Sequence, residues 1–432
     1  MNRLKKTIQS FNSLRKQKFT IDTIWNLAST LILAVSGILM NIVIGNQFKS
    51  EGLGVFNQAL SIYGVLSIIA VFGVNSSVLK YSAQHKDNDT KCNDLLISSI
   101  LFTLILSVSL TLLFFFIIPF LPYFNRNPNL LLATRLIILG IPFFSINKIL
   151  LSFLNGIRKM KSYAVFQSLR WILIIIFIVI IINIKKSIVL VSLSFPLTEL
   201  LLLISFFIYI KNFFNFNFCV NKSWIKKHME FGSKSVFINS ISELNDKTDI
   251  LIIGFFMSNY YVGIYSFASS IAKGLLMFSS VIQLNFNPII SYLWGKKKII
   301  KLNHYIKKIK KITLLLTIPI ISGAAIFYPF FVNIFMKDKS FLESFSVFYI
   351  LLIGIGILSI FYWACGLLTM AGYPEKQLQI TIIIFIFNII TNSILIPIFG
   401  INGAAIANTL SYILIICLIF FISKKKLNIR II

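Results

Sequence analysis

Uninterrupted apolar runs, each about 20 residues long, recur from one end of this 432-residue chain to the other. A helix of that length crosses the hydrocarbon core of a bilayer, and lipid forces every backbone N–H and C=O to be bonded within the segment. Charged residues make up only 12% of the chain and hydrophobic residues 57%, so little material remains for a soluble domain. The predicted fold class is an all-α integral membrane protein.

The apolar runs divide into twelve predicted transmembrane helices joined by short loops. Their approximate limits are 21–44, 53–79, 94–120, 130–154, 162–184, 187–210, 231–257, 260–293, 309–334, 343–370, 376–397 and 401–423. Residues 1–20 do not read as a cleavable signal, because the following apolar run is too long and no small-residue cleavage site ends it. In this basic segment Leu4, Ile8, Phe11 and Leu14 share one helical face, which suits either a helix on an anionic membrane surface or a disordered basic tail.

Lysine and arginine residues are concentrated on one side of the predicted membrane. With the N-terminus in the cytoplasm, the cytoplasmic segments hold 30 of them and the external segments 7. This bias is the positive-inside rule, and it predicts that both termini are cytoplasmic. The net charge of +28 is therefore explained by topology and by anionic lipid heads, and no aromatic and basic RNA-binding motif accompanies it. Nucleic acid is not an expected partner.

The sequence lacks the residue patterns of a metal site and of an ATP-binding domain that could drive transport. The four cysteines are scattered without a CxxC pair, and the three histidines lie far apart in cytoplasmic loops. No GxxxxGK[ST] phosphate-binding loop is present. We therefore expect no metal and no bound cofactor, while coupling to H⁺ or Na⁺ stays open.

Two short internal matches indicate that the chain contains a repeat. The stretch "IGNQFKSEGLGVF" (44–56) pairs with "IGFFMSNYYVGIY" (253–265), which aligns Gly54 with Gly263. The stretch "LNGIRKMKSY" (154–163) pairs with "MAGYPEKQLQ" (370–379), which aligns Gly156 with Gly372. Both copies of each match lie on the same predicted side of the membrane, so the repeats are parallel. We predict two six-helix lobes, 1–210 and 231–432, joined by a cytoplasmic linker at 211–230.

The last hairpin, "NIITNSILIPIFGINGAAIANTLSYI" (388–413), carries a family resemblance. Its Asn392, Pro397, Gly400 and Gly403, together with "DILIIGFFMSNYYVGIYSFASSI" (249–271), resemble the Wzx-type polysaccharide flippases. These belong to the multidrug/oligosaccharidyl-lipid/polysaccharide exporter superfamily, whose fold is MATE-like. Independently of the family, proline and glycine end one helix at the surface, and small residues allow close helix packing.

The resemblance implies a flippase that moves undecaprenyl-pyrophosphate-linked oligosaccharide, such as an O-antigen repeat unit, across the bacterial inner membrane. Membrane lipids are then partners, and a polysaccharide polymerase and a chain-length regulator are further candidate partners. A MATE-type ion-coupled multidrug exporter is the main alternative. A multi-span polymerase or glycosyltransferase is disfavoured, because such enzymes carry a large external loop with catalytic residues and no predicted external loop here is long. We therefore expect a transporter, not an enzyme.

We single out eight mid-span ionisable residues: Lys148, Arg170, Glu199, Glu243, Asp246, Lys247, Asp249 and Lys273. Each costs about 2.5–3.5 kcal/mol at the centre of a membrane helix, so each should face an interior, a cavity or a partner. On the seventh span, Ser235, Asn239, Ser242, Asp246 and Asp249 recur at steps of three and four, which predicts one polar stripe along a cavity wall.

We assign these charges to three roles. Arg170, Lys273 and Lys148 are candidates for binding the pyrophosphate, since phosphate recognition needs cations. Asp249, Asp246 and Glu199 are candidate coupling or cavity residues, although Asp249 and Asp246 could instead pair with Arg170 or Lys273 for packing. Glu243 and Lys247, four residues apart, are predicted to form a structural ion pair.

The charge bias makes a topology prediction that reporter fusions can check. Fusions after Lys186 and Lys339 should report outside, and fusions after Lys161 and Lys311 should report inside. A reversed result at two or more of these sites would discard the span assignment.

Overall fold

A computed structural model describes the backbone of residues 2–125, 127–211 and 220–427. The described chain is helical throughout. Its helices are α1 (Asn2–Val71), α2 (Val74–His85), α3 (Asp89–Ile117), α4 (Pro122–Asn125), α5 (Pro128–Ile138), α6 (Ile141–Gly156), α7 (Met160–Ile184), α8 (Ile188–Val191), α9 (Ser194–Lys211), α10 (Lys222–Phe256), α11 (Asn259–Gly274), α12 (Leu276–Gly295), α13 (Ile299–Phe335), α14 (Ser344–Phe361), α15 (Leu367–Met370), α16 (Pro374–Phe399) and α17 (Ile401–Leu427). Short 3₁₀ turns cover Ile118–Phe120, Lys339–Glu343 and Tyr362–Gly366.

Each predicted span lies within one helix or within consecutive helices. Among the described residues, nine helical segments are long and apolar enough to cross a bilayer, or ten if the bent pair α5 and α6 forms one span. The first two predicted spans both lie in α1, which bends at a kink where Lys49 is not helical (φ 59°, ψ −169°). They are therefore counted as one helical segment. Helix α10 is not counted, although it contains the charged seventh span. The all-α membrane fold is confirmed, and the count of twelve stays a prediction.

The second half of the predicted linker is helical, because helix α10 begins at Lys222, ahead of the predicted span. Asn221 caps it, since its side chain accepts a hydrogen bond from the Ser223 N–H at 3.0 Å. Residues 212–219 of the linker lie outside the described residues, as do the side chains of residues 1–23, on which the predicted surface helix depends. The lobe boundaries stay a prediction.

The early turns of α10 are anchored to the first lobe through His228. This side chain is fully buried; its Nδ1 lies 2.8 Å from the Ser77 Oγ on α2, and its Nε2 lies 3.3 Å from the Leu95 carbonyl oxygen on α3. Burial lowers the pKa of His228, which lies ahead of the predicted span, to about 4, so the imidazole is neutral near pH 7. The start of α10 therefore docks through a neutral histidine.

The two lobes meet where Gly54 on α1 packs against Gly263 on α11. A Cβ atom added to Gly54 would collide with the carbonyl oxygen of Asn259, and one added to Gly263 would collide with the carbonyl oxygen of Ser50. Each glycine thus contacts the residue four positions before the other glycine. Such reciprocal contacts place the aligned glycines at one depth, as expected for parallel repeats related by an axis along the membrane normal.

The second glycine match has a different structural basis. Gly372 adopts φ +87° at the end of α15, and the Tyr373 N–H bonds back to the Leu368 carbonyl at 2.9 Å. Arg158 adopts φ 60° after α6, and the Lys159 N–H bonds back to the Leu154 carbonyl at 2.8 Å. These are the same left-handed helix cap. The structural counterpart of Gly372 is therefore Arg158, two residues beyond the predicted Gly156.

Gly54→Ala should weaken the packing between the lobes. Alanine favours a helix by about 1 kcal/mol over glycine, but the new methyl group has no space and overpacking costs about 1–3 kcal/mol. We expect a lower melting temperature for the purified protein. Gly37→Ala is the matched control, since it lies on the same helix and nothing lies within 4 Å of its added Cβ. Equal melting temperatures for the two variants would contradict the reciprocal packing.

Candidate functional site

A polar cavity of about 630 Å³ lies within the second lobe, between α10, α11, α12, α14, α16 and α17. Side-chain hydroxyls and amides dominate its polar wall, from Ser242, Asn245, Ser266, Ser269, Ser270, Ser280, Thr381, Asn388, Asn408, Ser411, Tyr362 and Tyr412. Its charged lining residues are Asp246, Lys247 and Lys273. Apolar side chains such as Ile250, Leu276 and Met277 share the wall, so the cavity is amphipathic.

Lys273 and Asp249 form an ion pair at the wall of this cavity. The Lys273 Nζ lies 3.1 Å from the Asp249 Oδ2 and also donates to the Asp246 carbonyl at 3.2 Å. The Asp249 side chain is 1% exposed, whereas the Lys273 side chain is 29% exposed. The carboxylate is therefore behind the wall, and part of the lysine side chain reaches the cavity.

Asp249 is the centre of a buried hydrogen-bond network. Its Oδ2 also accepts from the Tyr265 hydroxyl at 2.7 Å and from the Asn408 Nδ2 at 2.8 Å. The network continues along α16, because Asn388 donates to the Asn408 Oδ1 at 3.0 Å and Asn392 donates to the Asn388 Oδ1 at 2.8 Å. Four helices, α10, α11, α16 and α17, are thus joined by buried polar contacts, which fixes the geometry around the carboxylate.

The first lobe contains a separate ion pair between Arg170 on α7 and Glu199 on α9. The Arg170 Nε donates to the Glu199 Oε1, and the Asn147 Nδ2 donates to the Glu199 Oε2 at 2.8 Å. The guanidinium also lies 4.7 Å from the ring centre of Phe144. The Arg170 side chain is 16% exposed and Glu199 is fully buried. Arg170 is not among the residues that line the 630 Å³ cavity.

The remaining charges surround a smaller cavity of about 280 Å³ between the lobes. It is lined by Lys148 of the first lobe and by Asn239, Ser242, Glu243 and Asp246 of α10. The polar stripe predicted on α10 therefore does line cavities, through Asn239, Ser242 and Asp246, while Asp249 lies behind the wall. Asp246 lines both cavities.

The predicted ion pair between Glu243 and Lys247 is not formed in the structure. Among the described side chains, the ion pairs within 4.0 Å are Arg170–Glu199, Lys226–Glu230 and Lys273–Asp249. Glu243 lines the smaller cavity and Lys247 the larger one, and both side chains lie near Gly64 without forming an ion pair within 4.0 Å. Spacing of four along a helix permits a pair but does not impose one.

The eight mid-span charges are four cations and four carboxylates, and Arg170 and Lys273 each have an acidic partner on another helix. Pairing of Asp249 with Lys273 is one of the alternatives that the sequence left open. The polar partners that the sequence reasoning did not identify are Asn147, Asn388 and Asn408. The asparagines within apolar runs could have indicated these contacts, because an amide in lipid forms hydrogen bonds with neighbouring helices. No group of three potential metal ligands occurs in the described part of the chain.

Fold and site together define a helical membrane transporter, not an enzyme. The structure superposes on an inward-facing multidrug resistance MATE family transporter of the MOP superfamily, with a TM-score of 0.75, 16% identity and 94% coverage of each chain. It superposes equally on the lipid II flippase MurJ in an inward closed conformation, with a TM-score of 0.75, 19% identity and coverage of 94% of this chain and 87% of that one. At these identities the likeness shows the fold.

Residues 19–294 match the family model described as polysaccharide biosynthesis protein, and the chain belongs to this family. Residues 235–394 also match the MatE family model. The superfamily resemblance read from the sequence is confirmed.

Two curated relatives accompany this family match. An uncharacterized membrane protein of Methanocaldococcus jannaschii is 24% identical over 440 residues, which covers 95% of this chain and 85% of that protein. A probable low-salt glycan biosynthesis flippase of Haloferax volcanii is 29% identical over 165 residues, which covers 38% of this chain and 34% of that protein.

Removing the carboxylate of Asp249 should destabilise the second lobe. Asp249→Asn leaves the Lys273 ammonium without its counter-charge, and breaking a buried pair costs about 3–5 kcal/mol. The double variant Asp249→Asn with Lys273→Met should recover much of this loss, because no unpaired charge remains. Thermal unfolding in lipid nanodiscs measures both.

The exposed pair Lys226–Glu230, at 4.0 Å, is the matched control. Glu230→Gln should change stability by less than about 1 kcal/mol. If Asp249→Asn were tolerated equally well, the buried pair would not hold the lobe together.

Proposed function

We propose that this protein is a flippase that carries a lipid-linked oligosaccharide across the membrane by alternating access between its two lobes. The observation that carries this proposal is the 630 Å³ cavity with its wall of hydroxyl and amide groups, in a member of the polysaccharide biosynthesis protein family. A glycan has many hydroxyls that lose water on entering a membrane protein, and each needs a replacement partner. Serine, threonine and asparagine side chains provide both donors and acceptors for them.

Lys273 is the proposed contact for the phosphate of the lipid carrier. An ammonium group has three donors, and Lys273 uses its Nζ for Asp249 and for the Asp246 carbonyl. Because part of the side chain remains exposed in the cavity, a further donor is available to an anionic head group. Arg170 and Lys148 are additional candidates in the first lobe, although the bond from Arg170 to Glu199 uses part of its guanidinium.

The finer assignment is an undecaprenyl-pyrophosphate carrier in the bacterial inner membrane, with an O-antigen or another surface polysaccharide repeat unit as its glycan. Both termini are then cytoplasmic, and a polymerase and a chain-length regulator act on the product. Asp246 is the best-placed group for coupling to H⁺ or Na⁺, because it is exposed and lines both cavities. Asp249 already accepts hydrogen bonds from Lys273, Tyr265 and Asn408. Glu199 already accepts hydrogen bonds from Arg170 and Asn147.

A MATE-type ion-coupled multidrug exporter is the second candidate. The match of residues 235–394 to the MatE family model favours it. The two functions differ in cargo, so one reconstituted protein can be tested for both.

The test is a flipping assay in proteoliposomes with a fluorescent polyprenyl-diphosphate oligosaccharide and, in parallel, an efflux assay with ethidium. We expect the wild-type protein to flip the lipid and not to move ethidium. Lys273→Ala should slow flipping by roughly tenfold or more, since a bond to a charged group contributes about 1.5–3 kcal/mol, and Lys273→Arg should retain more activity. Lys308→Ala, at an exposed lysine of α13, is the control and should flip normally.

Arg170 can be compared in the same assay. Arg170→Lys should retain more flipping than Arg170→Gln if the charge matters for the cargo. Normal flipping by well-folded Lys273→Ala and Arg170→Ala would make both cations structural. Ethidium efflux without lipid flipping would replace the proposed function by the exporter.

A further inference from the structure

A third cavity, of about 560 Å³, lies at the other end of the contact between the lobes. It is lined by Glu51, Gln58 and Tyr123 of the first lobe and by residues 254–259, where α10 passes into α11. The charge bias of the sequence predicts that this end faces the outside. The cavity contains no residue of the 630 Å³ cavity or of the 280 Å³ cavity, so it is a separate place on the path across the membrane.

The floor of this outer cavity is a hydrogen-bonded amide that joins the two lobes. Gln58 is fully buried; its Nε2 donates to the Asn259 Oδ1 at 2.6 Å, and its Oε1 accepts from the Tyr123 hydroxyl at 2.6 Å. A Cβ atom added to Gly254 would collide with the Gln58 Oε1 and lie 2.5 Å from the Tyr123 hydroxyl oxygen. The glycine therefore allows these polar groups to lie directly on α10.

The wall above this floor is formed by aromatic rings, and much of the surface of each ring is exposed. Phe255 is 60% exposed and Phe256 is 46% exposed, and both line the cavity. The amide of Asn127 and the carboxylate of Glu51 lie on the same wall. Flat apolar surface combined with amides, a hydroxyl and a carboxylate matches a sugar ring, which has apolar C–H faces and a rim of hydroxyls.

We propose that the outer cavity is an exit subsite that binds sugar residues of the translocated glycan. This inference rests on the proposed function and adds a second glycan-binding place, on the far side of the contact between Gly54 and Gly263. An organic cation would use the rings and Glu51, whereas a neutral saccharide would also bond the amides of Gln58, Asn127 and Asn259, which otherwise join the lobes and cap α5. The chemical class of the ligand is therefore a neutral saccharide.

Sugar binding here also acts on the contact between the lobes. Asn259 accepts the bond from Gln58 and also supplies the carbonyl against which Gly54 packs. A sugar hydroxyl inserted between the two amides can accept from Gln58 and donate to the Asn259 Oδ1, so it replaces the direct hydrogen bond between the lobes and leaves neither amide unsatisfied. The exit subsite thus favours separation of the lobes at this end, where the glycan must leave.

The test compares two cargoes on one variant in the proteoliposome flipping assay. The cargoes are a fluorescent polyprenyl diphosphate without a sugar and the same lipid with an oligosaccharide of several sugars. Phe255→Ala should slow flipping of the oligosaccharide lipid about fivefold, as expected for loss of one aromatic contact, and should leave the sugar-free lipid nearly unchanged, because that cargo has no sugar for the subsite to bind. Because Phe255 is exposed, its truncation should not unfold the protein. Phe330→Ala, at a phenylalanine of α13 that is 62% exposed, is the control and should leave both rates unchanged.

Each of the other possible results of this assay contradicts a specific part of the proposal. Equal slowing of both cargoes, or no slowing of either, shows that the outer cavity does not bind the glycan. Loss of tetraphenylphosphonium binding in Phe255→Ala, with normal oligosaccharide flipping, shows a cation site in its place. Failure of the wild-type protein to flip either lipid overturns the proposed function itself, and the exit subsite with it.

Discussion

The cost of placing charge inside a bilayer governs the interior of this protein. An ionised side chain at the middle of a membrane helix is tolerated when it meets a counter-charge, a polar network or water. Arg170 and Lys273 each meet a carboxylate on a different helix, and an asparagine on yet another helix supports that carboxylate in both cases. The charges that lack such a partner among the described residues, including Lys148 and Asp246, line cavities instead.

The sequence predicted well what depends on local composition and spacing. The positions of the spans follow from the length of the apolar runs, and the alignment of Gly54 with Gly263 follows from a repeated motif. The polar face of α10 follows from helical periodicity, so Asn239, Ser242 and Asp246 line cavities as predicted. These features need no knowledge of which helices are neighbours, which explains why one sequence sufficed.

The features that the sequence did not predict depend on contacts between helices or on backbone conformation. Arg170 has no acid three or four residues away, and its partner Glu199 lies two helices further along the chain. The match of Gly156 with Gly372 relied on residue type, whereas the shared feature is a left-handed cap that Arg158 also adopts. Glu243 and Lys247 had the right spacing, but Glu243 lines the smaller cavity and Lys247 the larger one, and they form no ion pair within 4.0 Å.

The placement of charge also explains how the lobes can move apart. In the described part of the chain, no ion pair within 4.0 Å joins the two predicted lobes. Two of the side-chain hydrogen bonds that do join them link neutral groups: Asn57 donates to Ser266 at 2.8 Å, and Gln58 donates to Asn259 at 2.6 Å. A neutral hydrogen bond contributes about 0.5–1.5 kcal/mol net, and water can replace it when the surfaces separate. An ion pair between the lobes would oppose separation far more strongly, because it would be pulled apart in a low-dielectric medium. The protein therefore keeps its strong electrostatic contacts inside each lobe, where they preserve shape, and leaves weak, replaceable contacts at the surface that alternating access must open.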